Sequence, residues 1–286
     1  MSVASFVTAG SVDEALAALA GGARPVAGGT DLVVGERSGK LPLPESLVAI
    51  HRVAELRGVS VTADGLRLGA LASHGAICEN QDVQARYSAL ADACAIVGSH
   101  ATRAQGTVGG NLMNASPAME TGGPLICLGA TVTLRSAAGE RTIDLEDLFT
   151  GPGGTVAESG ELLISVDVPT PAAGSGSAYL RLEYRRQMEI AVVAASALVT
   201  LDSGGTVTAA RVAMTALAPT IRRVPEAEAA LVGSDGEQAA VEAAGAAVAA
   251  AASPISDVRG SADYRRAMAA VIAGRAIERA LSRARA

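Results

Sequence analysis

A pair of glycines inside residues 24–34, RPVAGGTDLVV, constrains the fold of this chain more than any other feature. The apolar residues on both sides of Gly28 and Gly29 indicate that the segment is packed into the protein. A glycine pair at such a place allows either a turn that tolerates no Cβ atom or a close approach of the backbone to another group. The pattern predicts a short buried strand before the glycines and a helix after them.

A second glycine pair, Gly109 and Gly110, lies in the segment RAQGTVGGNLMNASPAME. It shares its format with the first pair, because a hydroxyl residue and a valine lie nearby and a polar residue, Asn111, follows. Two such bare backbone segments, each joined to a strand, could present several N–H groups to one anion. A pyrophosphate fits this arrangement, since neither loop contains a lysine. Taken alone, each pair favours a simple tight turn, because the chain has 32 glycines.

Two common nucleotide-binding motifs are absent from the sequence. No G-x-x-x-x-G-K-[ST] segment exists, which excludes a P-loop, and no G-x-G-x-x-G follows a predicted strand, which argues against a Rossmann site. A dinucleotide would therefore need another fold.

The three histidines, His51, His74 and His100, are scattered, so a metal site is not expected.

Charge and apolar content exclude several classes of partner. The 286 residues include 23 basic and 29 acidic ones, for a net charge of −6, and Lys40 is the only lysine. A chain this acidic, without a basic cluster, is a poor candidate for binding nucleic acid or an anionic membrane surface. The most apolar long stretch, residues 239–253, is mostly alanine and carries Glu242, which favours a packed helix over a membrane span.

The cysteines and the N-terminal segment bear on cellular location. Cys78, Cys94 and Cys127 lie far apart, so they cannot build a disulfide framework or hold zinc or an iron–sulfur cluster alone. The segment MSVASFVTAGSVDEAL has no basic leader followed by an apolar block, so no signal peptide is expected. Both features predict a cytoplasmic protein with buried thiols.

The order of predicted elements divides the chain into three segments of an α+β fold. Residues 1–55 alternate strand, helix and strand, as in a small α/β unit. Residues 56–173 contain two hairpins, a helix and a strand that ends at Pro169, which predicts an antiparallel sheet with helices on one side. Residues 174–286 contain three antiparallel strands and then helices. Because aromatic residues make up only 2% of the chain, Ala, Val and Leu must fill the cores.

The two glycine segments together, RPVAGGTDLV and ATRAQGTVGGNLMNASP, resemble the flavin-binding segments of the FAD subunit of the molybdenum hydroxylases, the xanthine dehydrogenase and carbon monoxide dehydrogenase family. The resemblance continues through LLISVDVP, YLRLEYRRQMEIAVVAASALV and DVRGSADYRRAMAAVIAGRA, and so covers nearly the whole chain. It implies a fold in which two α+β lobes (PCMH-type) clamp FAD. A C-terminal lobe follows, with a three-stranded antiparallel sheet plus helices.

The same resemblance implies a cradle for the FAD pyrophosphate, built from both glycine motifs. The residues implied to wrap the pyrophosphate with backbone N–H groups are Pro25, Val26, Ala27, Gly28, Gly29, Thr30, Asp31 and Leu32. Those implied to complete the cradle are Thr107, Val108, Gly109, Gly110 and Asn111. The side chains of Thr30 and Asp31 would add further contacts.

Four more positions are implied to contact FAD. Glu120 stands where family members often have Asp against the sugar part of FAD, and Leu163 falls at a cofactor-contacting position. Arg181 stands where a Lys is common, and it keeps the charge but not the shape. Ile190 aligns with a residue that covers the isoalloxazine ring, where some relatives have a tyrosine. For Arg181 and Ile190, ordinary strand positions facing solvent and core are an equal alternative.

The function implied by the resemblance is that of an FAD-binding electron-transfer subunit of a molybdenum-containing hydroxylase or dehydrogenase. FAD would be bound non-covalently, since no histidine lies inside either glycine motif. Molybdopterin and two [2Fe–2S] clusters would reside in a large and a small partner subunit, in a dimer of heterotrimers. Electrons would pass from the clusters through FAD to an external acceptor. Two alternatives stay open: a stand-alone FAD-dependent oxidoreductase with its own substrate pocket, and a non-enzymatic α+β scaffold.

Overall fold

The computed structural model describes residues 3–39 and 42–286. Its N-terminal lobe contains β1 (Ser5–Thr8), α1 (Val12–Ala20), β2 (Arg24–Val26), α2 (Thr30–Arg37) and β3 (Ser46–Ala49). The three strands form a parallel sheet in the order β1-β3-β2. The strand–helix–strand succession predicted for this part is present. Strand β1 was not predicted, because all four of its residues are exposed and leave no apolar alternation to read.

Side-chain caps fix the start of α1. The Ser11 hydroxyl accepts a hydrogen bond from the Glu14 N–H at 3.2 Å. The Glu14 carboxylate in turn accepts one from the Gly10 N–H at 2.7 Å, one residue earlier than in the usual capping box. The apolar face of the helix then packs into the core of the lobe through Val12, Ala15, Leu16 and Leu19.

The middle lobe is built on a five-stranded antiparallel sheet. Its strands are β4 (Val59–Val61), β5 (Gly65–Gly69), β6 (Thr131–Ser136), β7 (Gly139–Asp144) and β10 (Leu162–Pro169), in the order β4-β5-β10-β6-β7. A small two-stranded sheet adds β8 (Phe149–Gly151) and β9 (Gly154–Thr155). Both predicted hairpins, β4-β5 and β6-β7, are confirmed.

Six helices of the middle lobe lie between β5 and β6. They are α3 (His74–Glu79), α4 (Gln81–Arg86), α5 (Ser88–Ala95), α6 (His100–Gln105), α7 (Val108–Met113) and α8 (Gly122–Cys127). Only α5 was predicted, because the other five are six residues long and too short for a helical period to be legible. Four of those five instead begin at a side-chain cap, from Ser73, Asn80, Ser99 and Thr107.

The C-terminal lobe packs helices on a second antiparallel sheet. Its elements are β11 (Ser175–Leu182), β12 (Val193–Leu201), β13 (Val207–Thr215), β14 (Arg222–Arg223), α9 (Pro225–Leu231), α10 (Gln238–Ala251) and α11 (Ala262–Ala284). The three predicted strands are present in the order β11-β12-β13. The two-residue strand β14 extends the sheet at its edge and is too short to show a pattern.

Small side chains allow α11 to lie very close to this sheet. A Cβ atom at Gly176 of β11 would lie 2.2 Å from the Ala280 carbonyl oxygen of α11, so the two backbones almost touch. The core between them is formed largely by Ala, Val, Ile and Leu side chains, including Val193, Ala195 and Ala276. The aromatic-poor composition is thus matched by close backbone packing.

The predicted α+β class is confirmed by these three lobes. The C-terminal and middle lobes are joined at one seam by Arg283 of α11, which pairs with Asp92 of α5 at 2.6 Å. Among the described residues, no helix is long and apolar enough to cross a membrane. The exact lobe boundaries near residues 55 and 173 stay a prediction.

Candidate cofactor-binding site

The first glycine motif links β2 to α2. Gly29 is the N-cap of α2 and has a φ of +70°, in the left-handed region that residues with a Cβ atom rarely adopt. No side chain caps this helix end. The strand, turn and helix predicted for this stretch are present, but β2 is not buried: Arg24 is exposed and Pro25 and Val26 are half-buried. The helix N-terminus is left open.

Consecutive backbone N–H groups at this turn have no hydrogen-bond partner within the described ranges. They belong to Ala27, Gly28, Gly29, Thr30, Asp31 and Leu32. The next N–H, that of Val33, donates to the Gly29 carbonyl at 3.0 Å. Free N–H groups at a helix N-terminus form the positive end of the helix dipole and are suited to bind a phosphate. This row therefore fits one half of a pyrophosphate cradle.

Two residues of the predicted wrap cannot contribute amides to that row. Pro25 has no backbone N–H group, so its implied role as an N–H donor is wrong on chemical grounds. Val26 is paired with Ala49 inside the parallel sheet. Both residues support the turn from β2, and any contact with a cofactor would be made by other atoms.

The second glycine motif differs from the prediction, because it is the first turn of a helix rather than a loop joined to a strand. Helix α6 ends at Gln105, and Thr107 then caps α7 by accepting a bond from the Gly110 N–H at 3.1 Å. The Val108 N–H donates to the Ala72 carbonyl at 2.9 Å, and the Gly109 N–H donates to the Ala70 carbonyl at 3.0 Å.

All N–H groups at the start of α7 are therefore occupied by protein acceptors. The fourth, that of Asn111, donates to the Thr107 carbonyl at 2.9 Å. The second motif cannot supply a row of free amides comparable to the first. Its implied part in a cofactor site stays a prediction.

The two motifs lie side by side, as the sequence predicts. A Cβ atom at Gly28 would lie 1.9 Å from the Gln105 carbonyl oxygen and 3.3 Å from the Gly106 nitrogen. No side chain fits between these backbones. Gly28 thus joins the N-terminal lobe to the middle lobe just ahead of Thr107, and the free amides open beside this contact.

A hydrogen bond connects the second motif to the predicted sugar-binding carboxylate. The Thr121 hydroxyl donates to the Asn111 side-chain oxygen at 2.6 Å, and Thr121 is fully buried. Its neighbour in sequence, Glu120, is also buried. The bond therefore holds Thr121, and with it the adjacent Glu120, next to α7.

Asp31 of α2 lies near Glu120 across the seam between the N-terminal and middle lobes. Its residue surface is exposed, yet the protein around its carboxyl group removes enough water to raise its pKa above the ordinary value. Asp31 is near enough to Glu120 for its charge to raise the pKa of Glu120 as well. The first motif and Glu120 thus face one region.

Glu120 is held by Arg181 across the boundary between the middle and C-terminal lobes. Arg181 Nη1 donates to Glu120 Oε1 at 2.7 Å and to the Glu189 carbonyl at 3.2 Å, while Nε donates to the Glu183 carboxylate. Burial raises the pKa of Glu120 to about 7, although the charge of Arg181 acts in the opposite direction. Glu183 was not predicted, and nothing in its sequence context indicates it.

Leu163 and Ile190 occupy very different environments. Leu163 lies in β10 with 2% of its surface exposed, inside the apolar core of the middle lobe. Its predicted contact with FAD is not visible in this arrangement and stays a prediction. Ile190 is 46% exposed and directly follows Glu189, whose carbonyl binds Arg181. Ile190 therefore lies at the edge of the cluster, and its covering role stays a prediction.

Beneath the second motif lies the buried His74. The backbone N–H of His74 donates to the Gly106 carbonyl at 3.1 Å, and the ring Nδ1 lies 3.7 Å from the Cys94 sulfur. Burial, with the nearby charge of Arg103, lowers the pKa of His74 to about 4, so the ring is neutral at pH 7. Among the described residues, no group of three His, Cys, Asp or Glu could hold a metal ion.

Two cavities of the described chain contain none of the predicted site residues. The larger, about 190 Å³, is bordered by Arg86, Ser177 and Arg283, and the smaller, about 90 Å³, by Glu55 and Arg67. The polar groups that border the larger cavity are bonded within the protein; for example, the Arg86 guanidinium donates to the Thr170 hydroxyl at 3.0 Å. The open row of amides is the better candidate for a ligand site.

Glu120 and His74 are expected to affect stability in opposite directions over nearly the same pH range. The folded protein retains a proton on Glu120 between pH 4.5 and about 7, where the unfolded chain has released it, so stability falls as the pH rises. The unfolded chain binds a proton on His74 between about pH 4 and 6.5, where the folded protein does not, so stability rises with pH.

The variant Glu120→Gln isolates the first effect. The difference between the free energies of unfolding of the variant and the wild type should increase in favour of the variant by roughly 3 kcal/mol as the pH rises from 4.5 to 7. One pKa unit corresponds to about 1.4 kcal/mol. Urea unfolding of both apoproteins across this range measures the difference. Parallel stability profiles for the two proteins would contradict a buried, proton-binding Glu120.

Two family profiles match the chain and together cover most of it. The family described as "FAD binding domain in molybdopterin dehydrogenase" matches residues 2–171, and "CO dehydrogenase flavoprotein C-terminal domain" matches residues 178–280. The chain belongs to the FAD-subunit family of molybdopterin dehydrogenases. The resemblance predicted from the two glycine motifs is confirmed.

Relatives in this FAD-subunit family match nearly the full length of the chain. The carbon monoxide dehydrogenase medium chain of Afipia carboxidovorans is 33% identical over 92% of this chain and 90% of its own. Subunit alpha of the 6-hydroxypseudooxynicotine dehydrogenase complex of Paenarthrobacter nicotinovorans is 33% identical over 98% and 95%. The structure of carbon monoxide dehydrogenase from Hydrogenophaga pseudoflava aligns with a TM-score of 0.93 at 33% identity, covering 98% of this chain and 97% of that one.

Several groups that shape the site in this FAD-subunit family member escaped sequence reasoning. They are the backbone carbonyls of Ala70, Ala72 and Gln105 and the side-chain carboxylate of Glu183. A carbonyl has no sequence signature, because every residue carries one. These groups become recognisable only when the fold brings them against the glycines.

Proposed function

We propose that this chain binds FAD non-covalently and passes electrons through it as one subunit of a molybdenum-containing hydroxylase or dehydrogenase. The observation that supports this best is the row of unpartnered amides from Ala27 to Leu32 at the open end of α2. A dinucleotide pyrophosphate is the ligand that such a row fits, since neither motif carries a lysine. When bound, FAD supplies the redox chemistry that protein side chains lack.

In this proposal the first motif binds the pyrophosphate and the second limits the space around it. Residues 27–32 donate N–H groups, with further contacts from the Thr30 and Asp31 side chains. Residues 107–111 line the opposite side, where a glycine backbone lets the cofactor approach closely. The Glu120 carboxylate accepts a hydrogen bond from a hydroxyl group of the FAD sugar. Ile190 covers the ring edge, and the flavin-binding part of the chain is the pair of lobes 1–55 and 56–173.

The proposal requires partner subunits for the rest of the electron path. The proposal assigns molybdopterin and [2Fe–2S] clusters to a large and a small partner, as the family resemblance implies. The names "medium chain" and "complex subunit alpha" of relatives support such an assembly. We propose a dimer of heterotrimers, and a cytoplasmic location in keeping with three free cysteine thiols.

Reconstitution of the purified chain tests the proposed function. Apoprotein mixed with FAD and passed over a desalting column should retain close to one flavin per chain and show flavin absorption bands. FMN, which lacks the pyrophosphate bridge, should bind more weakly by about a hundredfold or more, because several charge-assisted hydrogen bonds are lost. Equal affinities for FAD and FMN, or no flavin uptake at all, would contradict the assignment.

Expression with and without neighbouring genes separates the proposal from its alternative. An electron-transfer subunit should co-purify with molybdopterin-containing and [2Fe–2S]-containing chains, and alone it should oxidise no organic substrate. A flavin-loaded chain that turns over a substrate without partners would instead identify a stand-alone oxidoreductase.

A further inference from the structure

Arg181 is enclosed by protein rather than open to a ligand. Only 1% of its side chain is exposed. Nε and Nη1 donate to Glu183, Glu120 and the Glu189 carbonyl, and the remaining nitrogen, Nη2, is buried without a partner in the described ranges. A cofactor atom cannot reach the guanidinium while the side chains hold this arrangement.

Glu120 is the less enclosed side of this ion pair. Its Oε1 is bound by Arg181, whereas its Oε2 receives no hydrogen bond from another described residue. The Glu120 side chain is 10% exposed, against 1% for Arg181, so Glu120 is the less enclosed partner of the pair. Asp31, beside the free amides of α2, acts electrostatically on the same carboxylate. Oε2 is therefore the atom of the pair that a ligand can meet.

We propose that Arg181 is a positioning residue that aims the Glu120 carboxylate at a hydroxyl of the FAD sugar and does not itself touch the cofactor. Glu183 and the Glu189 carbonyl fix the guanidinium in the orientation that this requires. The inference rests on the proposed function, because it takes FAD as the ligand. It replaces the direct contact that the family resemblance implies for this position.

The chemistry of arginine explains why this position can act indirectly. A guanidinium presents five N–H donors in a rigid plane, so one side chain can join three acceptors that lie in different directions. The three acceptors of Arg181 come from the middle lobe (Glu120) and from the segment after β11 (Glu183 and Glu189). A lysine has a single nitrogen and cannot hold the same three groups in one plane.

A double-mutant cycle tests whether Arg181 acts through Glu120. FAD affinity is measured by flavin fluorescence for the wild-type apoprotein, Glu120→Gln, Arg181→Met and the double variant at pH 7.5. Each single variant should bind FAD about tenfold more weakly, which is the size of one charge-assisted hydrogen bond. The affinity of the double variant should lie within about twofold of that of the weaker single variant, because both substitutions remove the same interaction.

The pH dependence of FAD affinity provides a readout that a purely structural role would not change. The charged groups facing Glu120 are Asp31 of α2 and Arg181 of the C-terminal lobe, and Glu183 binds the same Arg181; the phenol of Tyr179 and the thiol of Cys94 also interact with Glu120. A carboxylate accepts a hydrogen bond from a hydroxyl group best when it is ionised. The affinity of the wild type for FAD should therefore rise as the pH passes from 6 to 8. The midpoint should move to higher pH in Arg181→Met, because Arg181 lowers the pKa of Glu120, and the dependence should vanish in Glu120→Gln.

Arg185→Met is the matched control for loss of a positive charge in the same segment. Arg185 pairs with Glu189 at 3.2 Å, but its side chain is 68% exposed, and FAD affinity should stay within about twofold of wild type. If Arg181→Met does not fold, as judged by circular dichroism, Arg181→Lys takes its place in the cycle. It should show the same non-additivity with Glu120→Gln.

The outcomes separate this inference from the proposed function. Effects of the two single variants that multiply to about a hundredfold in the double variant would overturn the inference, because Arg181 would then contact FAD independently. An unchanged pH midpoint in the folded Arg181 variant would overturn it as well. Failure of the wild type to bind FAD would instead refute the proposed function, and the inference with it.

Discussion

Gly28→Ala is expected to abolish FAD retention and to destabilise the protein. Its Cβ atom would lie 1.9 Å from the Gln105 carbonyl oxygen and 2.6 Å from the carbonyl carbon, and a backbone cannot rotate out of the way as a side chain can. The contact joins the N-terminal lobe to the middle lobe beside the free amides. We expect a loss of about 3 kcal/mol in the free energy of unfolding, at the upper end of overpacking costs. FAD affinity should fall by about a hundredfold or more because the cradle is displaced.

Gly151→Ala is the control for the loss of a glycine as such. Gly151 lies at the end of β8, and a Cβ atom there would meet nothing within 4 Å. The control should bind FAD and unfold in urea like the wild type. A Gly28→Ala protein that keeps wild-type affinity and stability would show that the two lobes do not meet tightly at this seam.

Gly109→Ala and Gly110→Ala should differ sharply, although the two glycines are adjacent. A Cβ atom at Gly109 would lie 2.7 Å from the Ala70 carbonyl oxygen and 2.8 Å from the Ala70 Cβ atom. That carbonyl is also the acceptor for the Gly109 N–H, so the new methyl group pushes α7 away from its own anchor. We expect a cost of about 2 to 3 kcal/mol for Gly109→Ala.

The neighbouring substitution meets only one soft contact. A Cβ atom at Gly110 would lie 3.0 Å from the Thr107 hydroxyl, and Ala is intrinsically favoured over Gly in a helix by about 0.5 to 1 kcal/mol. The stability of Gly110→Ala apoprotein should therefore stay within about 1 kcal/mol of wild type. Urea unfolding of both variants measures the contrast. Equal losses at the two positions would mean that α7 is not anchored on the Ala70 carbonyl.

FAD binding by the same two proteins separates packing from cofactor contact. Gly109→Ala should lose FAD together with stability, because the wall formed by α7 moves. If Gly110→Ala keeps its stability, any loss of FAD affinity reports directly on the space that the cofactor occupies at Gly110. The pair thus measures the two roles of the motif independently.

Long elements with a clear period were predictable from the sequence. The hairpins β4-β5, β6-β7 and β12-β13 and helices such as α1 and α11 have alternating or helical apolar patterns, and all are present. The five six-residue helices of the middle lobe were not predicted. They depend on capping side chains and on packing against the sheet, and neither produces a period that can be read along the chain.

The sequence by itself determined where the backbone has to be bare: Gly28 and Gly109 lack the Cβ atoms that the fold leaves no room for, and Gly29 has a φ of +70°, which residues with a Cβ atom rarely adopt. It also determined which family the chain belongs to. The tertiary structure alone decided which amides remain free: those of α2 open outward, whereas those of α7 are bonded to the Ala70 and Ala72 carbonyls and the Thr107 cap. It likewise enclosed Arg181 more completely than Glu120, because hydrogen-bond partners and burial arise from residues that are distant in sequence.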